Sequence, residues 1–263
     1  MATAQRLAAR TAGSGPPLVV LHGLFGAGRN WMGIARRLEG IRECHLLDAR
    51  NHGDSPWTET MTYPEMAEDV VAYMDEHGLA PCDLLGHSMG GKTAMTLALT
   101  HSEVVGRLVV VDIAPVSYQH SEHARFAAAM RDCDLATAIR RADVETQIAG
   151  TVHDPEIRAF LMQNLVGEPR AWRWRLNLDA ILAAMADLTG FPDFERPFPG
   201  PAVFLTGERS DYVRPRDDAA IRRLFPAAAR AEVGGAGHWP HAEQPERFLA
   251  LLRTALAGEI AAQ

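Results

Sequence analysis

Short, mostly apolar runs recur along the first half of the chain, at residues 18–21, 44–47, 82–85 and 108–111, interrupted only by His45 and Asp83. Runs of this length without polar alternation predict strands that are covered on both faces. Apolar residues at helical spacing separate the runs, over residues 31–38, 63–76 and 92–99. This alternation predicts an α/β fold with a mostly parallel central sheet flanked by helices.

The alternation stops between residues 116 and 199, where a helical composition predominates. The pattern predicts helices over residues 122–131, 135–141, 155–166 and 178–188. Prolines mark both ends of this segment, and the alternation resumes with strands at 202–206 and 230–233, a helix at 215–225 and a closing helix at 245–256. We therefore predict an α/β core formed by residues 1–115 and 200–263, with residues 116–199 inserted as a helical cap.

The composition and charge of the chain indicate which partners and which cellular compartment to expect. Of its 263 residues, 47% are hydrophobic and 22% charged, and the net charge is −7. No apolar stretch approaches the roughly 18 residues of a membrane span. We expect a soluble protein that binds neither a membrane nor nucleic acid. Because the chain start lacks the apolar core of a secretory signal, we predict a cytoplasmic protein.

Cysteine and histidine spacing gives no sign of a metal site. Cys44, Cys82 and Cys133 are far apart, and no H-E-x-x-H motif is present. This spacing predicts neither a disulfide framework nor a bound metal, and we expect no cofactor.

A G-x-S-x-G motif follows the third apolar run. Residues 86–90 read Gly-His-Ser-Met-Gly, between a predicted strand and a predicted helix. Glycine neighbours make room for a serine in a strained turn, and the following helix N-terminus favours negative charge. The motif predicts that Ser88 is a nucleophile.

The base that activates Ser88 is predicted to be His238. It follows the last predicted strand in a glycine-rich loop, and a histidine that comes after the nucleophile is typical of α/β-hydrolases. His87 is expected to point away from Ser88 because neighbouring side chains at a strand end diverge. Most other histidines lie in polar or helix-terminal contexts and are expected to face solvent, among them His123, His153 and His241.

Two backbone N–H groups are needed to stabilise the oxyanion that forms during acyl transfer. Met89, directly after the nucleophile, is predicted to supply one of them. The other is expected from the glycine-rich loop at 22–28, with Leu24 as the first choice and Phe25 as the second.

The acid that orients His238 has several candidates. α/β-hydrolases usually carry it in a G-x-x-D pattern after the strand that follows the cap, but this chain has Ser210 there and Asp211 one residue later. Asp112 ends a run whose strand is expected beside the strand of the nucleophile, and neighbouring strands lie only about 4.8 Å apart. We favour Asp112, keep Asp211 as the alternative and consider Asp179 in the cap third.

Five segments resemble YbfF-type esterases and the related abhydrolase-domain-eleven proteins. They occur in order, at 22–26, 48–56, 86–92, 112–116 and 235–239. The resemblance spans residues 18–252 and implies an α/β-hydrolase fold with a helical cap and cofactor-free hydrolysis of carboxylic esters or thioesters. It also implies Asp112 as the acid, assisted by Ser210. Asp211 departs from the pattern of these relatives, so it remains an alternative.

These features predict a serine carboxylesterase that cleaves short- to medium-chain acyl esters, or thioesters, through a Ser88 acyl-enzyme. Predicted substrate-binding residues are Phe25, Trp172, Trp174 and Trp239. Two other classes remain open: a small-molecule receptor with a hydrolase fold, and a cofactor-free acyltransferase, perhydrolase or carbon–carbon hydrolase that uses the same serine. The partner is expected to be a small molecule, and the sequence does not indicate an oligomeric state.

Overall fold

A twisted sheet forms the centre of the molecule in the computed structural model, which describes residues 4–119 and 122–260. The strands are β1 (Ala9–Gly13), β2 (Pro17–Leu21), β3 (Glu43–Leu47), β4 (Cys82–His87), β5 (Val105–Val111), β6 (Leu165–Val166), β7 (Arg173–Trp174), β8 (Ala202–Gly207) and β9 (Ala228–Val233). All but β6 and β7 belong to the central sheet, in the order β1-β3-β2-β4-β5-β8-β9.

Parallel pairing brings the functional loops to one edge of this sheet. Every neighbouring pair is parallel except β1 and β3, which are antiparallel. The carboxyl ends of β4, β5, β8 and β9 therefore lie side by side, as is usual for ligand sites in α/β proteins. Ser88, Asp112, Ser210 and His238 all lie in the loops that leave these strands.

Helices cover both faces of the sheet and its carboxyl edge. The α-helices are α1 (Met32–Arg36), α2 (Tyr63–His77), α3 (Met89–Thr100), α4 (Glu122–Arg131), α5 (Arg141–Ala149), α6 (Pro155–Met162), α7 (Leu178–Ala183), α8 (Met185–Thr189), α9 (Asp218–Leu224), α10 (Pro240–Glu243) and α11 (Pro245–Ala257). Short 3₁₀ turns occur at Gly28–Trp31, Ser102–Val104 and Pro215–Asp217. Among the described residues, no helix combines the length and apolarity needed to cross a bilayer.

Each sheet strand contributes to two cores because successive side chains point to opposite faces. Leu84 packs on the side of α2 and α3, whereas Leu85 packs on the side of α1 and α11. Val110 and Val109 divide in the same way on β5. This two-sided burial explains why the strand sequences are mostly apolar and do not alternate between apolar and polar residues.

The segment between β5 and β8 forms a third apolar cluster over the carboxyl edge. Helices α4 to α8 and the β6–β7 hairpin pack together there, and their cluster includes Phe25 and Met89 from the core. The helix predicted over 135–141 is wrong. Asp134 accepts hydrogen bonds from the Thr137 N–H and hydroxyl, which holds a turn. Helix α5 begins only at Arg141, where the Asp143 carboxylate accepts from the N–H of the N-cap residue Arg140.

Two further helix predictions in this segment have different bounds in the structure. The helix predicted over 155–166 ends at Met162, because the chain then extends into β6, which pairs with β7. The helix predicted over 178–188 is interrupted at Ala184 and forms α7 and α8.

A buried ion pair holds the loop that follows β3. The Arg50 guanidinium donates to both carboxylate oxygens of Asp69, over 2.7 and 2.8 Å, and both side chains are almost completely buried. The same loop carries His52, which contacts the loop after β2. Removing one member of a buried pair leaves the other charge without compensation.

We predict that Arg50→Met lowers the free energy of unfolding by about 3–5 kcal/mol, because Asp69 then remains buried without a counter-charge. The matched control is Arg10→Met, which removes a half-exposed pair with Asp54 and is expected to cost less than about 1 kcal/mol. Chemical denaturation of the three proteins measures both values. Equal losses in the two variants would contradict the role given to the buried pair.

Candidate active site

The backbone at Ser88 has the strained geometry expected of a nucleophile turn. Ser88 lies between β4 and α3 with φ 52° and ψ −117°. A Cβ added at Gly90 would lie 2.4 Å from the Leu21 carbonyl oxygen, and one at Gly86 would lie 2.2 Å from the Gly90 carbonyl oxygen. The two glycines of the motif are therefore required by close backbone approach, which leaves Ser88 on a tight turn at the helix N-terminus.

Ser88, His238 and Asp112 form a continuous series of hydrogen bonds. The Ser88 Oγ lies 3.1 Å from the Nε2 of His238, and the Nδ1 of His238 lies 2.7 Å from the Oδ2 of Asp112. Because the Asp112 carboxylate accepts a hydrogen bond from the Nδ1–H of His238, Nε2 is left as the acceptor for the serine hydroxyl. The structure thus brings together the predicted nucleophile, base and favoured acid.

Asp112 is fully buried, and its carboxylate is satisfied by donors from two other loops. Its Oδ1 accepts from the Gly207 N–H at 2.9 Å, and its Oδ2 accepts from the Ser210 hydroxyl as well as from His238. The Ser210 Oγ accepts in turn from the Tyr212 N–H at 3.2 Å. Ser210 therefore contacts the acid and has no direct bond to the imidazole.

The two other candidate acids lie away from this series. Asp211 is exposed, with its carboxylate 3.2 Å from the guanidinium of Arg214. Asp179 is exposed on α7. Neither carboxylate is hydrogen-bonded to His238.

Tyr212 also contacts the site, a role that the sequence did not predict. Its ring stacks on the imidazole of His238, with centroids 3.8 Å apart. It follows the position where the acid was expected, but no motif distinguishes it. The stack and the bond to Asp112 restrict the imidazole from two directions.

The loop after β2 presents one of the two predicted oxyanion donors. Among the described residues, the N–H groups of Leu24 and Met89 donate to no other group of the chain. The Phe25 N–H, the second choice, is instead donated to the Nε2 of His52 at 3.2 Å, and the Phe25 carbonyl accepts from the Asn164 side chain at 2.8 Å. Phe25 is thus held by both ends of its backbone, and the assignment of its N–H as an oxyanion donor is corrected.

A pair of buried histidines supports this loop. The Nδ1 of His22 donates to the Gly23 carbonyl, and its Nε2 accepts from the Ala49 N–H. The rings of His22 and His52 lie 5.2 Å apart. Together they connect the loop after β2 to the loop after β3 through neutral imidazoles.

His87 contacts the base loop. Its Nε2 donates to the backbone carbonyl of His238 over 2.7 Å, so the residue before the nucleophile holds the backbone of the base. His241 does not face solvent as expected, because its ring stacks on Trp31 with centroids 4.1 Å apart. His123 likewise lines the cavity beside Ser88, which corrects a second solvent-facing prediction.

Two small cavities, of about 60 and 30 Å³, adjoin Ser88. The larger is lined by Phe25, Phe126, Phe160 and Trp239, which are four aromatic residues from the core and the segment above it. A groove of about 910 Å³ lies next to the larger cavity, and Phe160 and Trp239 line both of them.

Trp172 and Trp174 do not line either cavity beside Ser88, and their prediction as substrate-binding residues is wrong. The Trp172 indole N–H donates to the Ala138 carbonyl and that of Trp174 to the Met130 carbonyl. Both of these carbonyl acceptors lie within the segment between β5 and β8. The two rings therefore belong to the interior of that segment.

Among the described residues, no group of three or more His, Cys, Asp or Glu side chains is arranged to hold a metal ion. The three cysteines are unpaired thiols, and burial raises the pKa of Cys44 and Cys133 to about 11 and that of Cys82 to about 12.

Comparison with known proteins agrees with this architecture. The sequence profile of the alpha/beta hydrolase fold family matches residues 16–245, and the chain belongs to that family. It is 45% identical over 242 residues to the sn-1-specific diacylglycerol lipase ABHD11 of Xenopus tropicalis, covering 89% of this chain and 76% of that protein. It is 34% identical to the esterase YbfF of Escherichia coli K12, covering 90% and 91% of the two chains.

A solved structure of a marine microorganism esterase is similar over the whole fold. The two chains superpose with a TM-score of 0.91 at 37% identity, and the match covers 95% of this chain and 98% of the other. The resemblance seen in the sequence motifs is therefore confirmed at the levels of family and fold.

The buried histidines make the stability of the folded protein depend on pH. Burial is the main cause that lowers the pKa of His52 from its ordinary value of 6.5 to about 3, and it lowers the pKa of His87 well below that value. Both stay neutral in the folded protein at a pH where the unfolded chain binds a proton. Their contribution to stability is thus complete above about pH 6.5 and is lost as the pH falls toward the folded values.

We predict that the free energy of unfolding falls by about 1 kcal/mol for each such histidine between about pH 7 and about pH 5.5. His87→Gln is expected to reduce the difference between the two pH values, and the exposed His153→Gln is expected to leave it unchanged. Chemical denaturation of each variant at both pH values measures this change in the free energy of unfolding. Effects of a substitution that do not depend on pH cancel in the change. An equally steep loss in His87→Gln would contradict this account.

Proposed function

We propose that this protein is a serine carboxylic ester hydrolase that cleaves short acyl esters through an acyl-enzyme on Ser88. The observation that carries the proposal is the His238 imidazole, which bridges the Ser88 hydroxyl and the buried Asp112 carboxylate. The similarity of the chain to esterases and lipases identifies it as an ester hydrolase. The catalytic roles of the individual residues are our proposal.

In the first half-reaction, Ser88 attacks the ester carbonyl while its proton moves to the Nε2 of His238. The imidazolium that forms is stabilised by the buried Asp112 carboxylate, which Gly207, Ser210 and His238 hold in place through hydrogen bonds. His238 then gives the proton to the departing alcohol. In the second half-reaction, a water molecule attacks the acyl-enzyme with His238 again as the base.

Negative charge on the carbonyl oxygen would be stabilised by the N–H groups of Leu24 and Met89. Both are free of other partners in the described part of the chain, and Met89 begins α3, whose N-terminus adds a favourable dipole. The His52 bond to Phe25 fixes the neighbouring peptide, which leaves Leu24 in position to donate. No step of this scheme needs a group beyond the chain, the ester and water.

Residues 116–199 would act as the cap that covers the site. Phe126 on α4 and Phe160 on α6 line the cavity beside Ser88, and this cavity is small. Limited space favours short acyl chains, since each longer chain has to displace packed aromatic side chains. The smaller cavity extends on the other side of Ser88, toward α2 and α8.

The test of this proposal is hydrolysis of p-nitrophenyl esters that range from acetate to decanoate. We expect turnover that falls with acyl length, and a loss of at least about 10⁴-fold in kcat with Ser88→Ala. Ser102→Ala, at an exposed serine distant from the sheet edge, is the matched control and should keep full activity. Turnover that survives in Ser88→Ala would overturn the mechanism. Stoichiometric ester binding without turnover by the unmodified protein would instead support a receptor.

The identity of the acid is tested by comparing Asp112→Asn with Asp211→Asn. We expect Asp112→Asn to lower kcat by about 10³–10⁴-fold, because the amide no longer stabilises the imidazolium or selects its tautomer. Asp211→Asn should change kcat by less than about twofold, since the exposed Asp211 carboxylate pairs with Arg214 at the surface. A larger loss in Asp211→Asn than in Asp112→Asn would refute the assignment of Asp112.

A further inference from the structure

Lys92 is the single lysine of the sequence, and the other 25 of the 26 basic residues are arginines. Its side chain is buried next to the nucleophile. It lies on α3 one helical turn after Ser88, with its backbone N–H donated to the Ser88 carbonyl over 3.0 Å. Both residues line the smaller cavity beside the nucleophile. Among the described residues, Lys92 is the sole lysine or arginine that lines either cavity adjoining Ser88.

The Lys92 amine has no carboxylate partner in the described part of the protein. Its Nζ donates to the backbone carbonyls of Thr189, at 3.0 Å, and Gly190, at the end of α8. The ring of Tyr118 lies 4.8 Å from the Nζ and that of Tyr63 lies 5.6 Å away. No Asp or Glu among the described residues forms an ion pair with it, and burial lowers its pKa to about 7.

The contacts of Lys92 with the end of α8 and the two rings compensate its charge only in part. Two carbonyl oxygens and an aromatic face supply partial charges, whereas an ammonium that is taken out of water has lost the hydration of a full charge. An ammonium has three N–H donors, and two of them are used by the carbonyls. The cavity thus places an incompletely satisfied cation where the acyl part of a substrate on Ser88 would lie.

We propose that Lys92 binds a carboxylate at the far end of the acyl group, so that the preferred substrates are half-esters or half-thioesters of short dicarboxylic acids. This inference rests on the proposed function of Ser88. Ser88 and Lys92 line the same small cavity, so a short diacid chain attached at Ser88 would place its free carboxylate near Lys92. The small cavity excludes long diacids for the same reason that it excludes long acyl chains.

Local charge has to produce this preference, because the protein as a whole repels anions. The net charge of the chain is −7, and the Asp112 carboxylate lies behind the imidazole of His238. A carboxylate paired with Lys92 gains a charge-assisted hydrogen bond in a buried site and restores the missing counter-charge. A neutral acyl chain of equal length leaves the ammonium uncompensated.

The test compares monoethyl glutarate with ethyl valerate, which have acyl chains of equal length that end in a carboxylate or a methyl group. We expect the unmodified enzyme to show a kcat/KM at least about tenfold higher for the half-ester, a ratio equivalent to about 1.4 kcal/mol. In Lys92→Met, the ratio should invert in favour of ethyl valerate. In Arg209→Met, which removes an exposed charge, the ratio should stay as in the unmodified enzyme.

A structural role for Lys92 would lower the two rates together and leave their ratio unchanged, which would overturn the proposal. A preference of the unmodified enzyme for ethyl valerate would overturn it as well. These outcomes are separate from failure of the proposed function, in which the enzyme hydrolyses neither of these esters nor p-nitrophenyl butyrate.

A second measurement holds even if Lys92→Met does not fold. Because the chain has one lysine, labelling with lysine that carries ¹³C at the ε carbon gives a single side-chain signal. In Ser88→Ala, which retains substrate, we expect monoethyl glutarate to shift this signal and ethyl valerate to leave it in place. The absence of a shift at saturating half-ester would refute carboxylate binding by Lys92.

Discussion

The fully buried carboxylate of Asp112 is the group on which the arrangement of the site depends. A buried charge is tolerated only when donors surround it. Here the donors come from the ends of β8 and β9, in the form of the Gly207 N–H, the Ser210 hydroxyl and the imidazole of His238. Satisfying one carboxylate therefore joins three loops of the sheet edge and fixes the direction of His238 toward Ser88.

Neutral histidines organise the rest of the edge. His22 and His52 connect the loop after β2 to the loop after β3, and His87 holds the backbone of His238. Imidazole suits these positions because it donates with one nitrogen and accepts with the other. The buried Arg50–Asp69 pair supports the loop that carries His52, so the stability of the fold and the geometry near Leu24 are coupled.

Local patterns in the sequence predicted the central strands and the residues of the sheet edge, because parallel order alone brings strand ends together. Features that depend on distant contacts were missed. β1 is a polar, exposed segment whose pairing with β3 makes it a strand, and Trp172 and Trp174 are absorbed by packing within their own segment. The contact of Tyr212 with His238 arises only when the loops after β8 and β9 meet.

The central claim is that Ser88 carries the acyl group during turnover. Rapid acid quenching during hydrolysis of p-nitrophenyl acetate, followed by mass spectrometry of the intact protein and its peptides, tests this claim most directly. We expect a protein that has gained one acetyl group, located on the peptide that contains Ser88. An acetyl group on another residue, or steady turnover with no acylated protein at any time point, would contradict it.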